Sequence, residues 1–135
     1  GDTTMIPLTR LASYNGAPVS QHLDETTVEK VAADTMVGGD TLTKLLGTSA
    51  WYAPGASVAY LVDSILGDQK RMIPCSVLLE GEYGLEDICI GVPCIIGVNG
   101  IEAIVDVKLN EQEKQQLSDS ADKVRAMNAA LKDVL

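Results

Sequence analysis

Apolar and polar positions alternate in three runs, residues 73–80, 87–96 and 101–109. Two glycine-bearing turns separate them, Gly81-Glu82-Tyr83-Gly84 and Gly97-Val98-Asn99-Gly100. A period of two marks strands with one buried face, and short glycine turns make neighbouring strands antiparallel. The pattern therefore predicts a three-stranded meander. Its apolar face holds Ile73, Cys75, Val77 and Leu79, then Ile88, Ile90, Val92, Cys94 and Ile96. The third run adds Ile101, Ala103, Val105, Val107 and Leu109, with Glu102, Asp106 and Lys108 outward. Pro93 removes a ladder donor from the middle strand, so a bulge or an early end to pairing is expected there.

Elsewhere the period lengthens. Val28, Val31, Ala32, Thr35, Leu42, Leu45 and Leu46 trace one face of a helix. Thr26-x-x-Glu29 has capping-box spacing, and Asp24 is a rival cap. Gly38-Gly39 should kink that helix or divide it into two segments. Before it, residues 5–14 read as a short strand or extended run that enters a hairpin through Asn15-Gly16. A second helix, rich in small residues, starts around Pro54 and ends at Gly67. A third begins at Asn110-x-x-Glu113, with Leu117, Ala121, Val124, Asn128 (flanked by Met127) and Leu131 along its apolar side. Helices, then antiparallel strands, then a helix make an α+β fold, with helices packed on one face of a twisted antiparallel meander.

The chain has 135 residues, the size of one domain, so residues 1–135 are expected to form a single unit. The net charge of −9 disfavours nucleic acid and anionic membranes as partners. No apolar run approaches the roughly 20 residues of a membrane span. Three cysteines cannot all pair, and strand parity sets Cys89 on the face opposite Cys75 and Cys94. All three read as reduced thiols of a cytoplasmic protein.

By residue chemistry alone the chain carries no self-sufficient active site. His22 is the only histidine, and no serine or cysteine has a recognisable base partner. No spacing suits zinc or calcium, so no metal site is expected. Glu80, Glu82, Glu86 and Asp87 flank a turn and read as solvated. No Gly-x-Gly-x-x-Gly follows a strand, so nothing cradles a dinucleotide pyrophosphate.

The turn sequences nevertheless carry a likeness. Gly81-Glu82-Tyr83-Gly84, then Ile90-Gly91-Val92-Pro93, then Asn99-Gly100-Ile101-Glu102 resemble the C-terminal substrate domain of NAD-dependent malate and lactate dehydrogenases. Gly1-Asp2-Thr3-Thr4 is similar to the tail of that family's His-Gly-Asp-Thr motif, whose catalytic histidine would lie just before Gly1. The resemblance implies that Asp2, Ser49 and Ala50 line the substrate pocket and that Pro54 approaches the nicotinamide ring. It implies NAD as cofactor of a longer enzyme, with a nucleotide-binding domain that these residues lack and no cofactor held by this chain alone. It also implies assembly as a homo-oligomer and malate or oxaloacetate as substrate. Ala50, Pro54 and residues 79–84 look more like the malate branch built on the bacterial lactate dehydrogenase plan. Lactate or another 2-hydroxy acid is the alternative substrate, and a non-enzymatic dimerisation or scaffold domain is the rival from another class.

Strand parity makes one outcome measurable. Thiol counting under denaturing, non-reducing conditions should find three free groups; a count of one would overturn the face assignment.

Overall fold

The computed structural model describes residues 4–131, leaving out the side chain of Leu131. These residues fall into two units, the first ending at Ala50 and the second starting at Trp51.

In the first unit a hairpin pairs β1 (Ser13–Tyr14) with β2 (Ala17–Pro18). Asn15 and Gly16 form its turn, both at positive φ (50° and 81°), the conformation that Asn-Gly adopts most readily. The expected extended run before it contains a single 3-10 turn, Thr9–Leu11. The helix α1 follows, Glu25–Leu46. Its cap is Asp24, whose carboxylate accepts from the Thr27 amide at 2.9 Å and from the Thr27 hydroxyl at 2.8 Å; Thr26 lies inside the helix. Gly47 ends it in the left-handed region at φ 69°. The expected break at Gly38-Gly39 is absent: α1 is continuous across 22 residues. Each glycine costs roughly 1 kcal/mol against alanine, which two good caps and the surrounding turns outweigh. No described residue of the first unit is buried. Leu45 is 80% exposed, and Val31, Val37 and Leu46 are about half exposed.

The second unit is built on the sheet β3 (Arg71–Glu80), β4 (Glu86–Gly97) and β5 (Gly100–Ile104), in that order and antiparallel. The helices α2 (Tyr52–Leu66) and α3 (Glu111–Leu131) both lie against β4. Leu79, Ile88, Ile90, Val92, Cys94 and Ile96 form the core with Leu117 and Ala121 of α3. The α2 contribution is polar: fully buried Ser64 donates to the Ile96 carbonyl at 3.0 Å. Asn110 and Glu113 cap α3 reciprocally, each side chain accepting from the other's amide at 2.9 and 2.8 Å. Cys94 is buried, Cys75 half-buried and Cys89 exposed. Burial pushes the Cys94 thiol up, helped by neighbouring Cys75.

Two irregularities move side chains away from simple alternation. Glu80 pairs with Glu86 while Leu79 pairs with Ile88, so Asp87 is an extra residue, at φ 52°. Ile95 pairs with Ala103 and Ile96 with Ile101, which leaves Glu102 extra on β5 and shifts the phase. Ile104 therefore opposes buried Cys94, while Ile101 and Ala103, expected inward, are exposed. The β5 strand also stops at Ile104 rather than Leu109. Beyond it the main chain is held by other groups: the Val105 amide donates to the Pro93 carbonyl at 2.8 Å, and the Tyr83 hydroxyl donates to the Val105 carbonyl and accepts from the Val107 amide at 3.1 Å.

Pro93 causes no bulge on the β3 side, where it sits directly opposite Pro74. Its carbonyl points to Val105, so this is a pair without ladder bonds, and neither proline withholds a donor from the β3–β4 ladder. On the β5 side pairing ends one residue short of it, at Cys94.

A carboxylate cluster ties the β4–β5 turn to the end of α2. Asp68 accepts from the Val98 amide at 2.9 Å and pairs with Lys70 at 3.2 Å; Lys70 also pairs with Glu102. The Val98 amide, then Lys70, hold the Asp68 carboxyl below its usual value, and Glu102, then Asp68, hold Lys70 above its own.

Two measurements check these contacts. Tyr83→Phe leaves the Val107 amide without its acceptor and should cost roughly 1–3 kcal/mol in urea unfolding. Asp68, being lowered, stabilises above its unfolded value of 3.8, an effect lost as pH falls through its lower folded value. Asp68→Asn should therefore lower stability at neutral pH, and its gap to the parent chain should narrow as pH falls below 3.8; a gap that stays constant through acid titration would contradict the assignment.

Candidate functional site

The stretch from Gly47 to Gly55 is the described segment that the family resemblance singles out. Gly47 closes α1, and Ser49 and Ala50 follow in irregular chain at the end of the first unit, Ser49 exposed and Ala50 half-buried. At the start of the second unit, α2 begins at Tyr52 with no side-chain cap from Trp51. Pro54 sits in its first turn, where the amide it lacks has no partner within the helix. The first helical bond is Gly55 amide to Trp51 carbonyl, 2.8 Å. Pro54 is exposed, and so are Trp51 and Tyr52, whose rings lie 6.2 Å apart at a tilt. An added Cβ at Gly55 would touch nothing within 4 Å. This segment thus presents a hydroxyl, a small residue and a donor-free ring in one short run. Asp2 lies outside the described residues.

Other chemistry-bearing residues are spread apart. His22 is exposed and meets the Tyr14 ring edge-on, centroids 5.8 Å apart. Glu80, Glu86 and Asp87 border a shallow cavity of about 300 Å³, and among the described residues no three ligating side chains gather as a metal site. A cavity of about 500 Å³ lies between the Tyr83 turn and the start of α3, with Asp106, Lys108, Lys114 and Ser118 on its wall. Lys114 is paired with Glu111 at 2.7 Å. That cavity holds no nucleophile–base pair. It was not visible in sequence because its lining comes from three separate segments. Arg71 was missed for the same reason: it stacks over the Tyr60 ring at 4.2 Å and pairs with Asp63 at 3.1 Å. Neither cavity is lined by Ser49, Ala50 or Pro54.

Comparison with known proteins gives this segment its context. The family model for the lactate/malate dehydrogenase α/β C-terminal domain matches residues 2–133. A malate dehydrogenase of Flavobacterium frigidimaris is 75% identical over all 135 residues, and one of Bacteroides thetaiotaomicron is 66% identical over 134. In each case the chain spans 43% of the relative's length. Among solved structures, malate dehydrogenase from Salinibacter ruber superposes with a TM-score of 0.93 at 42% identity, over 97% of this chain and 43% of that one. Lactate dehydrogenase from Eimeria maxima, solved with NADH and oxamate, gives 0.92 at 36% identity, over 98% and 43%. Among the described residues no helix is long and apolar enough to cross a membrane. The chain belongs to the lactate/malate dehydrogenase family and corresponds to its C-terminal α/β domain.

Proposed function

We propose that this chain is the substrate and assembly domain of an NAD-dependent malate dehydrogenase that interconverts malate and oxaloacetate in the cytoplasm. The observation that carries the reading is 75% identity along the whole chain to a protein of that name. In this reading residues 1–135 act as one domain, and a nucleotide-binding domain completes the site. NAD, when bound, supplies the hydride acceptor. The residues here suit only its nicotinamide end: Pro54 offers an exposed ring face, whereas the sequence holds no glycine-rich cradle for phosphates. The chain's own part is to shape the pocket with Ser49 and Ala50 and to place Asp2 beside the family's catalytic histidine, which takes the hydroxyl proton. The exposed apolar faces of α1 and α2, among them Leu45, Leu46, Val58 and Leu66, suit contact with the missing domain and with a second copy. Lactate is the second reading, favoured by the close superposition on the Eimeria enzyme.

The test joins this chain to the N-terminal part of the Flavobacterium frigidimaris enzyme and follows NADH oxidation. Turnover with oxaloacetate far above that with pyruvate is the expected result, and the reverse preference would favour lactate. A chimera that binds NADH but turns over neither acid would overturn the assignment. The chain alone should show no NADH binding by calorimetry. In the active chimera Ala50→Leu should raise the KM for the oxo acid about 10- to 100-fold by crowding the pocket.

A further inference from the structure

Two Asn-Gly dipeptides occur in the chain, Asn15-Gly16 and Asn99-Gly100, each at the tip of a hairpin. Such pairs are chemically labile because a glycine amide nitrogen is not shielded by a side chain and can reach the preceding carboxamide. Their surroundings here differ. Asn15 and Gly16 are exposed, belong to neither strand, and among the described residues nothing engages the Gly16 amide. A Cβ built on Gly16 or on Gly100 meets nothing within 4 Å, so open space at the glycine is common to both turns and the difference lies in how each turn is held. The hairpin is held by two residue pairs, Ser13 with Pro18 and Tyr14 with Ala17, by the Val19 amide donating to the Ala12 carbonyl at 2.9 Å and by His22 against the Tyr14 ring, and none of these residues is buried. Two-stranded ladders of that size are marginal, and local opening is cheap.

Asn99-Gly100 is held more firmly. Gly100 is the first residue of β5 and pairs with Gly97. The neighbouring Val98 amide is bonded to Asp68, itself paired with Lys70, and β4 runs on as the central strand of the sheet. Asn99 is exposed, as Asn15 is; what sets it apart is a turn whose backbone is tied to Asp68 and continues directly into the sheet, which resists the backbone rotation that ring closure needs.

We propose that Asn15 is a site of spontaneous deamidation and isoaspartate formation in the folded chain, and that Asn99 is protected. The Gly16 nitrogen attacks Asn15 Cγ; the N–Cγ bond forms, the Cγ–Nδ2 bond breaks, and ammonia leaves with the proton from the Gly16 amide. Solvent water then opens the succinimide at either carbonyl, giving aspartate or isoaspartate with no change of oxidation state. Aspartate can keep the left-handed turn while adding a negative charge. Isoaspartate lengthens the main chain by a methylene and is incompatible with the two-residue turn.

The full chain, incubated in mildly alkaline buffer and digested with trypsin, separates the two sites: cleavage after Arg10 and Lys30 isolates Asn15, and cleavage after Arg71 and Lys108 isolates Asn99. The Asn15 fragment should gain the amide-to-acid mass increment, and accept label from an isoaspartyl methyltransferase, several-fold faster than the Asn99 fragment. In urea the two rates should converge. Asn15→Gln should remove both signals from the first fragment. Equal rates in the folded chain, an Asn15 that converts only in urea, or signals that survive Asn15→Gln would each overturn the proposal.

Discussion

Side chains on β4 at every second position, Ile88, Ile90, Val92, Cys94 and Ile96, form one continuous buried face, and α2 and α3 both rest against that strand. Each such side chain contributes about 1.5–3 kcal/mol on burial, so this row is the main source of cohesion in the second unit. Few aromatic residues are available to thicken it, since the chain has no phenylalanine. Polar contacts finish the work at the margins: Ser64 binds α2 to the Ile96 carbonyl, and Tyr83 holds the chain after β5.

What could be read from sequence was what obeys a short period or a local signal. The faces of β3 and β4 follow from alternation, the hairpin turn from Asn15-Gly16, and the start of α3 from Asn110 with Glu113. The phase on β5 could not be read, because the extra residue at Glu102 is set by pairing with β4 and leaves no mark in composition. Nor could the end of β5, which depends on a phenol reaching it from Tyr83, more than twenty residues earlier in the chain. The expected break at Gly38-Gly39 misjudged a balance: two glycines cost about 2 kcal/mol together, too little to divide a capped helix.

The candidate site divides along the same line. Ser49, Ala50 and Pro54 lie within six residues, so their grouping was available from the sequence and from likeness to the family. In the proposed pocket their part is contributory, since a hydroxyl, a methyl and a proline ring shape a cavity without making or breaking a bond. A helix end at Gly47 and a first helical turn at Pro54 account for the glycine and the proline of this stretch, but not for the exposed Trp51 and Tyr52. Arg71, clamped between Tyr60 and Asp63, shows the converse case, a cation on β3 whose partners lie on α2 and leave no mark in the local pattern.

The facing prolines of β3 and β4 bear on the behaviour of the molecule in crowded solution. Because Pro93 turns its carbonyl toward Val105, Pro74 directs its own backbone groups outward, along the free margin of the sheet. A passing strand seeking to extend the sheet would meet a missing amide hydrogen there and could not zip past it. Among the described residues the proline thus interrupts the row of main-chain groups along β3, the longer edge strand of the sheet, a guard against fibrous self-addition placed where the central ladder loses nothing by it.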